Sequence, residues 1–215
     1  MPIIQRTNPY QLAVLLAAAA TLAACASGGG NQVRPSAQIE IQESVGFTIT
    51  EEAKVSEATR LDYDQAVNYL ERGELDKGIE LLQTVADATP ELSAPRIDLG
   101  IAYHRAGDLE AAERNLRQAL EVNPDHPIAH NELGIVLRKT GRFAEARENY
   151  EAALVVYPGY HFARRNLAVL CDLYLADLDC ALRNYQAYMA TVPSDDEASI
   201  WIRDLQNRIN QAENR

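Results

Sequence analysis

The chain has 215 residues, with 20 Lys and Arg against 31 Asp and Glu, and a formal net charge of -11 at pH 7. This acidic balance argues against nonspecific binding to nucleic acid or to anionic lipid, because both carry negative phosphates. The hydrophobic share of 47% is enough for a packed core, and the length allows one domain or one short repeat array beside a targeting segment.

Residues 1–24 have the pattern of a secretory signal peptide. Arg6 precedes an apolar stretch from Leu12 to Ala24, which is shorter than the roughly 20 residues of a transmembrane helix. The stretch ends in two alanines followed directly by Cys25, an arrangement that resembles the bacterial lipobox. The resemblance implies cleavage before Cys25, transfer of a diacylglyceryl group to it, and acylation of the new N-terminus with a fatty acid such as palmitate. Ala26, rather than Asp, favours the periplasmic face of the outer membrane; the alternative is an ordinary signal peptide that contains a cysteine.

Residues 25–58 are predicted to comprise the lipidated cysteine, a flexible tether and a lead-in to the folded part. Residues 26–36 are small, polar and rich in glycine, a composition typical of linkers. Between residues 37 and 56, apolar residues alternate with polar ones at Ile39, Ile41, Phe47 and Ile49, which indicates a strand. A lone short strand has no partner in an otherwise helical chain, so we expect a partly ordered segment packed against the first helix.

A period of 34 residues begins near residue 59 and decides the fold class. Prolines recur at Pro90, Pro124 and Pro158, and glycines recur at Gly73, Gly107 and Gly141; in the fourth unit Pro193 and Ala176 follow after 35 residues. Two amphipathic helices joined by a tight turn explain this period, because glycine suits a left-handed helix end and proline ends the second helix. A helix pair cannot bury its apolar face alone, so stacked pairs are expected to share a continuous core.

These residues resemble the tetratricopeptide repeat family. Residues 93–126 carry Leu99-Gly100, Tyr103, Ala112, Leu116, Ala119 and Pro124, and residues 127–160 carry Leu133-Gly134, Leu137, Ala146, Tyr150, Ala153 and Pro158. Residues 59–92 match the pattern less fully, and residues 161–195 match with one inserted residue near the turn. The resemblance implies an all-α fold, a right-handed α-solenoid of about four helix-turn-helix repeats.

Residues 196–215 are predicted to form a capping helix and tail. Ser194 and Glu197 have the spacing of a capping box, and Trp201 belongs to an apolar stripe that would cover the open end of the solenoid.

Cys171 and Cys180 would lie late in the first helix and early in the second helix of the fourth repeat, where a disulfide is possible in an oxidising compartment. The alternative is a pair of buried free thiols.

His126 and His130 have an i, i+4 spacing that zinc ligands can show, but Pro127 lies between them and no third ligand completes a set. Packing or surface histidines are the favoured interpretation. The sequence contains no nucleophile, phosphate-loop or paired-carboxylate motif. We therefore expect no catalytic residues, no cofactor and no metal; an enzyme acting through His104 or His130 is the least favoured alternative.

The family resemblance implies that ligands bind to the exposed faces of the first helices, on the inner side of the superhelix. The corresponding positions are Tyr63, Ile97, Ile101, His104, Arg105, Asn131, Ile135, Arg138, Lys139 and Arg165. Their mixture of apolar and basic side chains suits an acidic or C-terminal peptide segment, because arginine pairs with carboxylates. The alternative is solvated charge that balances neighbouring acidic helices.

These features predict a membrane-anchored periplasmic scaffold that docks partner proteins of the envelope in the inner groove. The chain resembles repeat lipoproteins that help to assemble envelope machines such as pili or secretion systems. Two alternatives stay open: an adaptor for a peptidoglycan hydrolase, and self-association through the exposed end of the array.

Overall fold

The computed structural model describes residues 38–42, 46–51 and 53–214; the predicted signal peptide, Cys25 and nearly all of the tether lie outside these ranges. Within the described residues the chain forms nine helices after a short β-hairpin. The helices are α1 (Glu57–Glu71), α2 (Leu75–Ala88), α3 (Ala94–Ala106), α4 (Leu109–Val122), α5 (Pro127–Lys139), α6 (Phe143–Val156), α7 (His161–Leu173), α8 (Leu178–Thr191) and α9 (Asp196–Glu213).

The first eight helices form four consecutive pairs, which confirms the predicted helical repeat fold. In the first three pairs the turn between the helices is made by Gly73, Gly107 and Gly141, with φ of 79°, 88° and 79°. Ala176 takes this place in the fourth pair with φ 53°, a left-handed conformation that residues other than glycine rarely adopt. The recurring glycine therefore marks a backbone requirement that the fourth repeat meets with alanine.

A second glycine in the repeat allows the two helices of a pair to lie close together. A Cβ atom at Gly134 would lie 2.6 Å from the ring of Tyr150 on α6, and one at Gly100 would lie 2.5 Å from Leu116 on α4. Tyr150 and Leu116 are fully buried, so the small residue and the bulky residue of each pair together fill one layer of the core.

The N-terminal lead-in forms a hairpin, so the premise that a strand in this segment would have no partner is wrong. Strands β1 (Gln38–Gln42) and β2 (Gly46–Thr50) pair antiparallel, with Ile39 opposite Ile49 and Gln38 opposite Thr50. The alternating apolar pattern extends over two runs of five residues, and each run is the partner of the other.

Helix α9 covers the end of the array. Its N-cap is Asp195, whose side chain accepts from the backbone N–H of Ala198, instead of the predicted Ser194. Leu205 is fully buried, and the Trp201 ring packs against Tyr185 with 5.4 Å between centroids. Among the helices described above, none combines the length and the apolar character that crossing a membrane requires.

Candidate functional site

The first helices of the pairs lie on the inner side of a curved array. The backbones of successive first helices approach one another closely (α1 with α3, α3 with α5, and α5 with α7), whereas those of successive second helices do not. The array therefore bends toward the first helices. We call the solvent-facing side chains of α1, α3, α5 and α7 the inner face.

Seven of the ten predicted groove residues are accessible on this face, and three are not. Tyr63, Ile97 and Asn131 are buried, with exposed fractions of 7%, 1% and 2%. The prediction that these three residues contact a partner is wrong, because their side chains are packed between neighbouring first helices. The exposed or partly exposed residues are Ile101, His104, Arg105, Ile135, Arg138, Lys139 and Arg165.

The buried positions belong to a polar seam that joins one repeat to the next. The Tyr63 hydroxyl donates to Asp98 Oδ2 at 2.6 Å, and Asn166 Nδ2 donates to Asn131 Oδ1 at 2.9 Å. In both contacts the two partners are 35 residues apart. The second contact occupies the same place in the repeat as the first, two repeats further along the chain. Between the second and third repeats the equivalent residues are Ile97 and Glu132. The isoleucine side chain cannot donate a hydrogen bond to the carboxylate of Glu132.

Two acidic groups of the seam have strongly shifted pKa values. Burial raises the pKa of Asp98 to about 6, against the opposing effect of the Tyr63 hydrogen bond. Burial also raises the pKa of Glu132 to about 7, and the hydrogen bond from Asn131 Nδ2, at 3.1 Å, opposes the shift. The sequence-based prediction missed Asp98, Glu132 and Asn166. These three residues are spaced by 34, and each directly follows a predicted groove residue in the sequence. The repeat register could therefore have identified them.

Basic side chains gather where α3 and α5 end, next to the tight turns. His104 and Arg138 occupy equivalent places in the second and third repeats, and each is followed by an exposed cation, Arg105 and Lys139. We call these four residues the groove cluster. Neither Arg105 nor Lys139 forms an ion pair with any residue that the structure describes.

Nε2 of His104 is buried without a hydrogen-bond partner in the described part of the chain, and Nε of Arg138 is buried near the hydroxyl of Tyr150. Burial, together with the charges of Lys139 and Arg138, lowers the pKa of His104. The Arg138 guanidinium lies 5.6 Å from the ring centroid of Tyr174 and donates through Nη1 to its hydroxyl at 3.3 Å. The exposed charges of Arg105 and Lys139 beside the Arg138 guanidinium make this part of the inner face positive, which suits an anionic group.

The fourth repeat keeps the predicted mixture of apolar and basic side chains, but it lacks a basic residue at the position of His104 and Arg138. Asp172 stands where His104 and Arg138 stand in the preceding repeats, and it pairs with Arg208 of α9 at 2.7 Å. The inner face of α7 instead exposes Phe162 and Leu173, by 55% and 68%. Arg165 lies 5.4 Å from the ring centroid of Trp201. The inner face thus combines a cationic region with an apolar one.

On the second helices, acidic residues pair with arginines of the same repeat and of the next one. Glu113 of α4 accepts from Arg142 at 2.6 Å and from Arg117 at 2.8 Å, and Glu145 of α6 accepts from Arg142 at 2.5 Å. The outer clusters therefore differ from the groove cluster, whose exposed cations have no such partners among the residues described.

The histidines and cysteines have structural surroundings. His126 is the N-cap of α5: its Nδ1 accepts from the backbone N–H of Ala129, and burial lowers its pKa to about 3. His130 contacts Asn149 Oδ1 at 3.0 Å and the carbonyl of Pro124 at 2.8 Å. Cys171 and Cys180 form a disulfide with 5.9 Å between Cα atoms. These cysteines, with Asp177, are the only cluster of three potential metal ligands in the ranges described, and their sulfurs are already bonded to each other.

Comparison with known proteins agrees with this architecture. Residues 97–161 match the family model described as tetratricopeptide repeat. No curated protein matches the chain.

Solved structures with the same fold include MamA from Desulfovibrio magneticus RS-1, with residues 41 to the end, at 20% identity and a TM-score of 0.66; the match covers 75% of this chain and 90% of that one. PilF of Pseudomonas aeruginosa matches at 18% identity with a TM-score of 0.65, over 72% of this chain and 70% of its own. TTC0263, a thermophilic tetratricopeptide repeat protein of Thermus thermophilus, matches at 25% identity with a TM-score of 0.59, over 69% of this chain and 81% of its own. The matched family is a repeat family and not a catalytic one.

Proposed function

Because the chain is a tetratricopeptide repeat protein, a class that generally serves as a scaffold for protein–protein interaction, we propose that its inner face docks a partner protein of the bacterial envelope. The observation that carries the proposal is the groove cluster. Its two exposed cations, Arg105 and Lys139, have no ion-pair partner among the described residues of a protein of net charge -11. An acidic side chain or a C-terminal carboxylate of the partner would accept hydrogen bonds from the exposed Arg105 and Lys139.

The exposed apolar residues of α7 extend the proposed contact. Phe162 and Leu173 would cover a hydrophobic part of the same segment, since large exposed apolar side chains are concentrated at interaction surfaces. The partner segment is therefore one that carries both carboxylates and apolar side chains.

The second part of the proposal is the membrane anchor. The lipobox-like sequence before Cys25 supports lipidation, and an acylated chain would confine the array to a thin layer at the membrane, which raises its effective concentration toward envelope partners. A scaffold of this kind fits the assembly of an envelope machine such as a pilus or a secretion system.

Crosslinking and capture from intact cells test the docking proposal. The variant Arg105→Glu with Lys139→Glu reverses two exposed charges of the groove cluster, and the control Arg183→Glu with Arg203→Glu makes the same change of charge on α8 and α9. We expect the groove variant to lose a captured envelope protein that the wild type and the control retain. Equal capture by all three would reject the inner face as the docking site.

The anchor is tested separately by Cys25→Ala. We expect this variant to leave the membrane fraction, while the wild type stays in it after washing with salt. If the variant and the wild type fractionate alike, lipidation at Cys25 is not what holds the chain to the membrane. The identity of the captured protein would distinguish an assembly scaffold from an adaptor for a cell-wall hydrolase.

A further inference from the structure

Helix α3 lacks a side-chain cap from its own N-cap residue. Ser56, His126 and Asp195 each accept a hydrogen bond from the first turn of the helix that they precede. Ser93 precedes α3 and is fully buried, but its side chain accepts no such bond. The unpaired N–H groups of a helix start carry partial positive charge, so this buried end requires an acceptor from elsewhere.

The acceptor is Glu51, which follows strand β2 directly. Its Oε2 accepts from the backbone N–H of Ser93 at 2.7 Å, and its Oε1 accepts from the Ser93 hydroxyl. Oε1 also lies 3.3 Å from Nδ2 of Asn123, the buried residue that ends α4. Three donors from the two ends of one helix pair thus converge on one carboxylate, which comes from a position 42 residues before Ser93 in the chain.

The position of this contact fixes where the N-terminal segment meets the array. Ala53 and Val55 are half-buried between Glu51 and the start of α1. Gln38 pairs with Thr50, so the hairpin begins beside the residue that precedes Glu51. The chain therefore joins the array at the edge where α3 begins and α4 ends.

The groove cluster lies at the opposite edge. His104 and Arg105 are in the last turn of α3, and a helix of 13 residues is about 20 Å long. Residues 26–37 can span at most about 40 Å when extended. With so short a tether, the edge of the array from which it leaves determines which edge lies nearer the membrane.

We propose that Glu51 is a latch that docks the N-terminal segment onto the second repeat, so that the tether leaves the array at the edge away from the groove cluster. The latch itself rests only on the contacts of Glu51. The consequence for the membrane rests on the proposed lipidation at Cys25: the groove cluster then faces away from the bilayer, toward partners in the periplasm.

Tryptic cleavage after Lys54, an exposed residue three positions beyond Glu51, measures release of the latch in the full-length protein. Glu51→Gln should increase the initial rate of this cleavage about tenfold, because it removes the charge that strengthens three hydrogen bonds. The control Glu57→Gln changes an exposed carboxylate nearby and should cleave at the wild-type rate. Circular dichroism would verify that each variant stays helical.

A second variant keeps the proposal open to refutation. Ser93→Ala removes one donor, and the double variant with Glu51→Gln should cleave no faster than Glu51→Gln alone, since both changes break the same contact. Wild-type cleavage in Glu51→Gln, or additive effects in the double variant, would overturn the latch.

Energy transfer to a headgroup acceptor in phosphatidylcholine vesicles tests the orientation. The lipidated chain would carry one fluorophore at Asp125→Cys, on the latch edge, or at Arg105→Cys, on the cluster edge. Transfer should be greater from position 125, and Glu51→Gln should reduce the difference. Equal transfer in the wild type would overturn the orientation, whereas failure to bind vesicles would reject the lipid anchor and leave the protease result to decide the latch.

Discussion

Individual buried carboxyl groups make the free energy of folding depend on pH. The pKa of Asp98 is raised from 3.8 to about 6 by burial. Between these values the folded protein holds a proton that the unfolded chain has lost, so stability falls as the pH rises through this window, by about 3 kcal/mol at most. Glu132 acts in the same direction between about 4.5 and 7. His126 acts in the opposite direction, because its lowered pKa costs stability as the pH falls below about 6.5.

Asp98→Asn isolates one of these contributions. The amide keeps the volume and can still accept from Tyr63, but it does not ionise. We expect the free energy of unfolding of the variant, relative to that of the wild type, to rise by about 2–2.5 kcal/mol between pH 4 and pH 7, as measured by urea denaturation. Asp64→Asn, an exposed residue at the equivalent place in the first repeat, is the control. A constant difference across this range would contradict the assignment.

His130 occupies a place that its neighbouring repeats fill with arginine. Arg164 donates to the carbonyl of Pro158 at 3.3 Å and to Asn184 Oδ1 at 3.1 Å, and His130 bridges the equivalent atoms of Pro124 and Asn149. His130→Arg should therefore retain stability, whereas His130→Ala should lose about 1–2 kcal/mol with two hydrogen bonds. Urea denaturation at pH 7 measures both. Equal destabilisation by the two variants would show that the bridge contributes nothing.

The inner face shows which side-chain properties could be predicted from sequence. The repeat register correctly placed His104, Arg105, Arg138 and Lys139 on accessible parts of the first helices. It could not separate Ile97, which is buried, from Ile101, which is partly exposed, because both belong to the inner stripe of α3. That difference depends on how closely adjacent first helices approach, a distance that the period does not contain.

Among the turns between paired helices, the fourth departs from the glycine pattern. Ala176 adopts φ 53° where the other three turns have glycine. A left-handed conformation costs an L-residue roughly 1 kcal/mol. Ala176→Gly should accordingly raise the free energy of unfolding by up to about 1 kcal/mol, despite the greater freedom of glycine in the unfolded chain. Gly141→Ala should lower it by a similar amount, and thermal unfolding followed by circular dichroism compares the two. If Ala176→Gly destabilises the protein, the turn is not strained.

The disulfide joins the end of α7 to the start of α8 across this irregular turn. A closed loop of nine residues predicts a contribution of about 2–3 kcal/mol through the unfolded state. The variant Cys171→Ser with Cys180→Ser should lose this amount, and a reductant should lower the unfolding temperature of the wild type but not that of the variant. A reductant effect of equal size on both proteins would contradict the prediction.

Helices and strands differed in how well the sequence predicted them. Each helix pair was predictable because the same glycine, proline and small residues recur at one spacing, and the packing of Gly134 against Tyr150 explains why. The hairpin was missed because it occurs once, so no second copy supported the pattern. Glu51 was missed for the same reason: its partners lie 42 and 72 residues away, and no periodicity connects them.

At the scale of the whole molecule, the core of the described residues is divided into two clusters of unequal size. Buried residues of α1, α2 and part of α3, such as Leu82 and Leu99, form one cluster. A larger cluster extends from Ile97 through the third and fourth repeats to Leu205 of α9. Helices contact mainly their neighbours in sequence, so stability is expected to be distributed along the array instead of being held in one centre.

Leu82→Ala and Leu205→Ala test this distribution from the two ends. Both leucines are fully buried, and each substitution should cost about 2–5 kcal/mol locally. Because coupling passes only between adjacent repeats, Leu205→Ala should accelerate amide hydrogen exchange in α8 and α9 while α1 and α2 keep wild-type protection, and Leu82→Ala should give the reverse pattern. Each variant is thus the control for the other. Uniform loss of protection along the chain in both variants would instead mean that the four repeats and α9 unfold as one cooperative unit.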